Sequence, residues 1–309
     1  MKHFLNLNEV TSNELIQIVD HAIKIKKERN DKSKGALDTD TPLKDKVVAM
    51  IFDKPSTRTR VSFDVGIKQL GGQTLILSGS DLQLGHGESI ADTARVLSRY
   101  VDLIMIRTFN ESILYELADN SDVPVINGLT NTTHPCQSMA DVMTFQEHRN
   151  SIKGKNILWL GEGNNMCAST IQAAGQFGFN FIFSGPKELD PNISYIDYAR
   201  SKGSLVTIDR DPMNAIQNAD LIMTDTWISM HDNYAHTAKG RDNQLKPYQV
   251  NSELMNQSKK EAIFMHCLPA HREQEVTSDV LDGEKSVAFD QAENRLHVQK
   301  AILRWCFNV

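Results

Sequence analysis

The sequence predicts an α/β fold of two doubly wound domains, each a parallel β-sheet flanked by helices, with the C-terminal helix packing back on the first domain. Three observations carry this. Short apolar runs with little polar alternation recur along the chain, as strands buried on both faces do. Stretches of helical periodicity separate them, the βαβ order of a parallel sheet. The series restarts after the polar turn Asn150–Gly154, and 309 residues suffice for two domains with a core each.

Thr11 and Glu14 form a capping box, so a helix is expected over Thr11–Asn30 with Leu15, Val19, Ala22 and Ile23 on its apolar face. Lys32–Pro42 is polar and reads as a loop, and Lys46–Phe52 as the first strand. A helix follows over Arg58–Leu70, with Val61, Val65 and Leu70 as its apolar positions and Gly71-Gly72 as its stop. Strands Gln73–Leu77, Val101–Ile106 and Val123–Asn127 then alternate with helices Glu88–Tyr100 and Asn110–Asp119. The helix Cys136–Arg149 holds the domain boundary, giving residues 1–140 and 141–290 with 291–309 returning to the first domain. In the second series the strands are Lys155–Leu160, Phe179–Phe183, Ser204–Ile208, Leu221–Asp225 and Ala262–Met265. Helices are expected at Asn164–Phe177, Ser194–Lys202 and Asp211–Asn218. The last helix, Gln291–Trp305, has Ala292, Leu296, Ala301, Ile302 and Leu303 as apolar positions.

A formal net charge of −6 favours neither nucleic acid nor an anionic membrane as a partner. The four cysteines, Cys136, Cys167, Cys267 and Cys306, contain no C-x-x-C pair, which argues against a zinc ribbon or a disulfide framework. The N-terminal residues lack the apolar core of a signal peptide, and no apolar run approaches the ~20 residues of a membrane span. A reducing cytoplasm is the expected compartment.

Ligands of open parallel sheets bind beyond the carboxyl ends of the strands. The first strand ends in Lys54-Pro55-Ser56-Thr57-Arg58-Thr59-Arg60, three hydroxyls and two guanidinium groups at a helix N-terminus. Free N–H groups and the helix dipole converge there, which suits a compact oxyanion such as phosphate. Other strand ends carry Arg107, then Thr130 to Gln137 with His134-Pro135-Cys136-Gln137, then Gly161 to Met166, then Asp225 to Met230, then His266 to Arg272. The first half is thus rich in cations and donors, while the second offers a carboxylate, a thiol, an amide and a hydroxyl. An anionic substrate on one side and an amine on the other fit that asymmetry. Singly, each piece has a plainer reading: an inert Cys267, a capping Asp225, a solvated Arg107. Gly161-x-Gly163 hints at dinucleotide binding, but Met166 replaces the third glycine and no acidic residue ends the next strand. His134 with Cys136, or His266, Cys267 and His271, would be metal ligands only at spacings unusual for zinc.

Lys54-Pro55-Ser56-Thr57-Arg58-Thr59-Arg60 with His134-Pro135-Cys136-Gln137 resembles the transcarbamoylases, which bind carbamoyl phosphate. Asp225-Thr226-Trp227-Ile228-Ser229-Met230 with His266-Cys267-Leu268-Pro269 is similar to their ornithine branch, and the likeness continues through Phe289–Arg295. The resemblance implies transfer of a carbamoyl group from carbamoyl phosphate to the side-chain amine of L-ornithine, giving L-citrulline and phosphate, as in arginine biosynthesis. It implies a carbamoyl phosphate-binding first domain and an ornithine-binding second one. Ser56, Thr57, Arg58 and Thr59 would hold phosphate, and Arg107, His134 and Thr59 the carbonyl oxygen. Gln137 and the Leu268 carbonyl would receive the carbamoyl NH₂, and Arg295 would complete that end. Asn165 and the Met230 backbone would hold the α-carboxylate of ornithine, Asp225 and Ser229 its α-ammonium, with Cys267 beside the reacting amine. A cis Leu268–Pro269 bond is expected, and neither a metal nor a cofactor. Gln83 matches a residue that reaches a neighbouring subunit's site, which implies a homotrimer or a multiple of trimers. Two departures stand out: His231 where the branch has Gly, in a loop expected to close over ornithine, and Glu162 where it has Asp. The rival readings are a transferase for putrescine or an acylated ornithine, and a non-catalytic binder of phosphate metabolites.

Overall fold

A computed structural model describes residues 1–79, 87–227 and 243–309. The chain divides into two compact units, Met1–Met143 with Glu293–Val309, and Thr144–Ala292. Among the described residues no helix is long and apolar enough to cross a membrane.

The first unit holds a four-stranded parallel sheet in the order β2-β1-β3-β4, formed by β1 (Val47–Phe52), β2 (Gln73–Ser78), β3 (Leu103–Arg107) and β4 (Val125–Leu129). Phe4 adds a parallel bridge to Ile126 on the β4 edge. The helices are α1 (Ser12–Lys27), α2 (Thr57–Gln69), α3 (Ile90–Leu97), α4 (Glu111–Asp119) and α5 (Pro135–Arg149), the last of which runs on into the second unit. One core cluster joins Ala49, Ile51, Ile104 and Ile106 of the sheet to Leu97, Leu114 and Leu117 of α3 and α4. Thr11 caps α1 as expected, accepting the Glu14 N–H at 3.3 Å.

The second unit holds a five-stranded parallel sheet in the order β7-β6-β5-β8-β9, formed by β5 (Asn156–Leu160), β6 (Asn180–Ser184), β7 (Val206–Ile208), β8 (Leu221–Thr224) and β9 (Ile263–His266). Its helices are α6 (Asn165–Phe177), α7 (Ile193–Ser201) and the single turns α8 (Pro212–Ala215), α9 (Ser252–Met255) and α10 (Ser278–Leu281). Leu158, Leu160, Ile222 and Phe264 from its strands pack with Ile216, Val250, Leu254 and Val276 in the core. In both sheets every strand pair is parallel, so all strand ends of a unit open on one edge.

One helix differs from expectation in the face it buries, and another buries polar residues beside its expected apolar ones. In α2 the buried positions are Phe63, Ile67 and Leu70, and Val61 is 54% exposed. The heavier apolar row at i, i+4, i+7 takes the core and leaves the β-branched Val61 on the surface. The last helix, α11 (Ala288–Phe307), begins three residues earlier than expected. Beyond Glu293 it packs back on the first unit, burying the expected Ala301, Ile302 and Leu303 with Val298, and also the polar Asn294, Arg295, His297, Gln299, Lys300 and Arg304. Partners on the first unit compensate part of that burial. Lys26 donates to Asn294, Lys300 to Asp38 and Gln69, Arg304 pairs with Asp40, and Trp305 donates to Glu14.

Candidate functional site

At the end of β1, Ser56 lies in extended backbone (φ −161°) and its Oγ accepts the Thr59 N–H at 3.2 Å. This N-cap turns the first N–H groups of α2 toward the strand ends. Thr57 is exposed, Arg58 is half-buried and Thr59 is fully buried. The Thr59 hydroxyl is a junction: Arg295 Nη2 donates to it at 2.8 Å and Arg107 Nη1 at 3.4 Å. Arg295 Nη1 also donates to Gln137 Oε1 at 3.1 Å, and Gln137 Nε2 donates to Asp141. His134 is buried, and its pKa lies well below the ordinary histidine value. Burial is the main cause, followed by the Arg295, Arg107 and Arg58 charges. The expected cluster of Arg58, Thr59, Arg107, His134, Gln137 and Arg295 is therefore assembled within this unit, with a neutral imidazole among three guanidinium groups. Gln83 lies outside the described residues.

Lys54 joins this cluster without having been singled out from the sequence. It is 2% exposed, its ammonium donates to Asn131 Oδ1, and it sits 4.3 Å from the centre of the Phe109 ring. Burial first, and then the Arg107 charge, pull its pKa down to about 8. The available signal was a lysine directly ahead of the Ser-Thr-Arg run, and surface solvation is the commoner fate of such a residue. Asn127 is a second addition. Its buried side-chain amide donates to Leu5 O (2.9 Å) and Thr133 Oγ1 (3.2 Å), and its backbone carbonyl accepts the Cys136 thiol, so it braces the loop that carries His134.

In the second unit the strand ends of β5, β8 and β9 meet around Asp225. Asn164 caps α6, its Oδ1 accepting the Met166 and Cys167 N–H groups at 3.0 Å each. Its Nδ2 donates to Asp225 Oδ2 at 2.8 Å. Asp225 Oδ1 accepts the Thr226 N–H (2.8 Å) and the Cys267 thiol (3.1 Å). Asn165, expected to hold a carboxylate, opens α6 immediately beside this group. Ser229, Met230 and His231 lie outside the described residues.

The turn after β9 is held from beneath. The His266 N–H donates to Gln291 Oε1 (3.0 Å), and His266 Nδ1 accepts the Leu268 N–H (2.9 Å). The His266 Nε2 then lies 3.2 Å from Glu275 Oε1, both side chains being fully buried. Leu268–Pro269 is cis, as expected, and Leu268 has φ +55°. Asn164, Gln291 and Glu275 are thus supporting residues absent from the sequence-predicted set. Asn164 carries a local signal only as the cap of α6; its bond to Asp225 and that of Gln291 to His266 join residues far apart in the chain.

Among the described residues, the group that could surround one cation is Asp225, His266 and Cys267, whose ligand atoms lie within 4.8 Å of one another. It includes Asp225 in place of His271, which differs from the set the sequence suggested. The thiol donates to the carboxylate, and the His266 Nδ1 accepts the Leu268 N–H instead. Cys136 is buried with its pKa pushed up to about 12, which is the state of an inert thiol.

Two family models match the chain: the carbamoyl-P binding domain of aspartate/ornithine carbamoyltransferases over residues 2–147, and the Asp/Orn binding domain of the same family over residues 153–306. The chain belongs to the aspartate/ornithine carbamoyltransferase family. Within that family, it is 61% identical over 309 residues to an ornithine carbamoyltransferase of Cereibacter sphaeroides, covering 100% of both chains. Among solved carbamoyltransferases it resembles the ornithine carbamoyltransferase of Pyrococcus furiosus, with a TM-score of 0.93 at 43% identity over 98% of this chain and 96% of that one. The anabolic ornithine carbamoyltransferase of Campylobacter jejuni gives a TM-score of 0.91 at 35% identity over 100% and 99% of the two chains. Both site clusters fall inside the matched carbamoyltransferase domains: the arginine-rich one in the first apart from Arg295, which lies with the Asp225–Cys267 one in the second.

Proposed function

We propose that this protein transfers the carbamoyl group of carbamoyl phosphate to the side-chain amine of L-ornithine, releasing L-citrulline and phosphate. One observation carries the choice of amine: the Cys267 thiol donating to an Asp225 carboxylate that Asn164 holds from the other side. A fixed carboxylate beside a thiol suits a substrate bearing two amines, one to be anchored and one to react. The match to relatives named for ornithine supports the same reading. We assign residues 1–140 with 291–309 to carbamoyl phosphate and 141–290 to ornithine.

Ser56, Thr57, Arg58 and Thr59 bind the phosphate at the N-terminus of α2, where N–H groups and guanidinium charge coincide. Gln83 contributes from a neighbouring subunit, in a homotrimer. The amine attacks the carbonyl carbon, and negative charge develops on the carbonyl oxygen. Arg107, Thr59 and a neutral His134, donating one ring N–H, stabilise that oxyanion. Gln137, Arg295 and the Leu268 carbonyl orient the carbamoyl group. The ornithine amine has a lysine-like pKa near ~10.4 and reacts only when neutral. Asn165 and Met230 hold the α-carboxylate, Asp225 and Ser229 the α-ammonium, and Cys267 faces the reacting amine. Fixing the far end converts a bimolecular encounter into a positioned one. The C–N bond forms as the C–O bond to phosphate breaks, and the amine's proton leaves to solvent or to phosphate. The setting we assign is the cytoplasm, in arginine biosynthesis or urea-type metabolism.

Citrulline formation from carbamoyl phosphate and ornithine tests this directly, with putrescine and N-acetylornithine as competitors. Arg58→Gly should abolish carbamoyl phosphate binding in a folded protein. Cys267→Ala should lower ornithine turnover, and loss of one group at such a centre typically costs about 10²–10³ in rate. Equal turnover of putrescine and ornithine would rule out the assigned amine.

A further inference from the structure

Lys300 is a fully buried lysine on α11, five residues beyond Arg295. Its ammonium contacts both oxygens of Asp38, at 2.8 and 2.6 Å, and Gln69 Oε1 at 2.9 Å. Asp38 is itself 93% buried on its side chain and takes a second cation, Arg29, at 2.6 Å. The Asp38 N–H donates to the Gln69 carbonyl at 2.8 Å, and Gln69 Nε2 donates to Lys34 O at 2.8 Å. Gln69 is the last residue of α2. The cluster therefore ties the end of α2 and the 33–40 loop to the middle of α11. At the other end of α2, Thr59 is tied to the same helix through Arg295. Between the two ties the helices approach closely at Gly66, where a Cβ would lie 3.1 Å from Lys300 Cγ and 3.4 Å from Leu296 Cδ1.

We propose that the buried Lys300–Asp38 pair is a positioning device for the phosphate-side cluster: it sets the axial register of α11 against α2, and so holds the Arg295 guanidinium on Thr59 and Gln137. A slide of α11 by one turn, about 5.4 Å, would strip a buried ammonium of all three oxygens. Apolar packing by Val298, Ala301, Ile302 and Leu303 on the same helix is non-directional and specifies that register less sharply. A buried charged pair with a single solution specifies it strongly. Displacements of about 1 Å at a positioned group can cost up to about 10²-fold in rate. Neither Lys300 nor Asp38 touches substrate in this scheme. Both act through Arg295, so the inference rests on the proposed role of Arg295.

The test is steady-state kinetics of the full-length enzyme with both substrates varied, alongside thermal melts. Lys300→Met removes the charge and keeps the stem packed at Gly66. It should raise the KM for carbamoyl phosphate about tenfold or more, with the KM for ornithine changed by less than about twofold. Should Lys300→Met fail to fold, Asp38→Asn carries the same expectation. In an Arg295→Gln background, Lys300→Met should add little further, because the two act as one unit. A lower melting temperature with unchanged carbamoyl phosphate KM would reduce the pair to a structural role and overturn the proposal. So would full additivity of the two substitutions. If Arg295→Gln alone leaves that KM unchanged, the assigned role of Arg295 fails, and the register argument fails with it.

Discussion

His134 and His297 are both buried among cations, and both are held neutral. For His297, burial and then Lys300, Lys26 and Arg29 pull the pKa from 6.5 to about 3. For His134 the direction is the same, with Arg295, Arg107 and Arg58 adding to burial. The sign follows from proton counting. Below pH 6.5 the unfolded chain binds a proton at the His297 ring that the folded chain refuses, so this residue's contribution to stability is full above about 6.5 and is lost as pH falls toward 3. His297 removes up to about 1.4 kcal/mol per pH unit in that window. The urea midpoint should therefore fall steadily below pH 6.5 and should fall less steeply in His297→Gln. Parallel curves for the two proteins would refute this. Residues of this kind were only half legible in the sequence. His134 stood at a strand end in a run of polar residues and announced itself. His297, Lys54 and Asn164 did not, since what defines them is a partner far away in the chain. Asn164 and Asp225, for example, are brought together only when β5 and β8 pair.

The elements were more readable than their faces. Each expected strand appears, because an apolar run bounded by polar residues has few alternatives in a parallel sheet. The polar face of α11 ran against the same rule. Its buried Asn294, Lys300 and Arg304 look solvent-facing in a helical projection, and a donor from α1 with acceptors from the 38–40 loop and α2 allows them inside. The turn between β5 and α6 shows how tightly one connection is drawn. A Cβ on Gly163 would lie 2.3 Å from Pro191 N and 2.5 Å from Pro191 Cα, both backbone atoms. Gly163→Ala should therefore push the turn aside, carrying Asn164 and Asn165 with it. The expected cost is about 1–3 kcal/mol of stability, typical of overpacking, together with a raised ornithine KM and a nearly unchanged carbamoyl phosphate KM. Equal damage to both substrates would mean the strain spreads beyond α6.

At the scale of the molecule, the first unit is built from two separated stretches of chain, with the whole second unit between them. The second unit keeps its own core, from Leu158 to Ala288. Deleting residues 293–309 should accordingly leave 144–292 protected in limited proteolysis while 1–143 is cut, because Asp38, Gln69 and Glu14 lose their partners on α11. Survival of an intact 1–143 fragment would contradict this. The same arrangement has a consequence in time. A ribosome adding about 5–20 residues per second needs on the order of 10 s to make the intervening unit. For that interval the first four-stranded sheet exists without the helix that supplies Arg295. The phosphate-side cluster is therefore closed only after the ornithine-side unit has been made, so nascent chains pass through a stage with one half-site formed and the other unsealed.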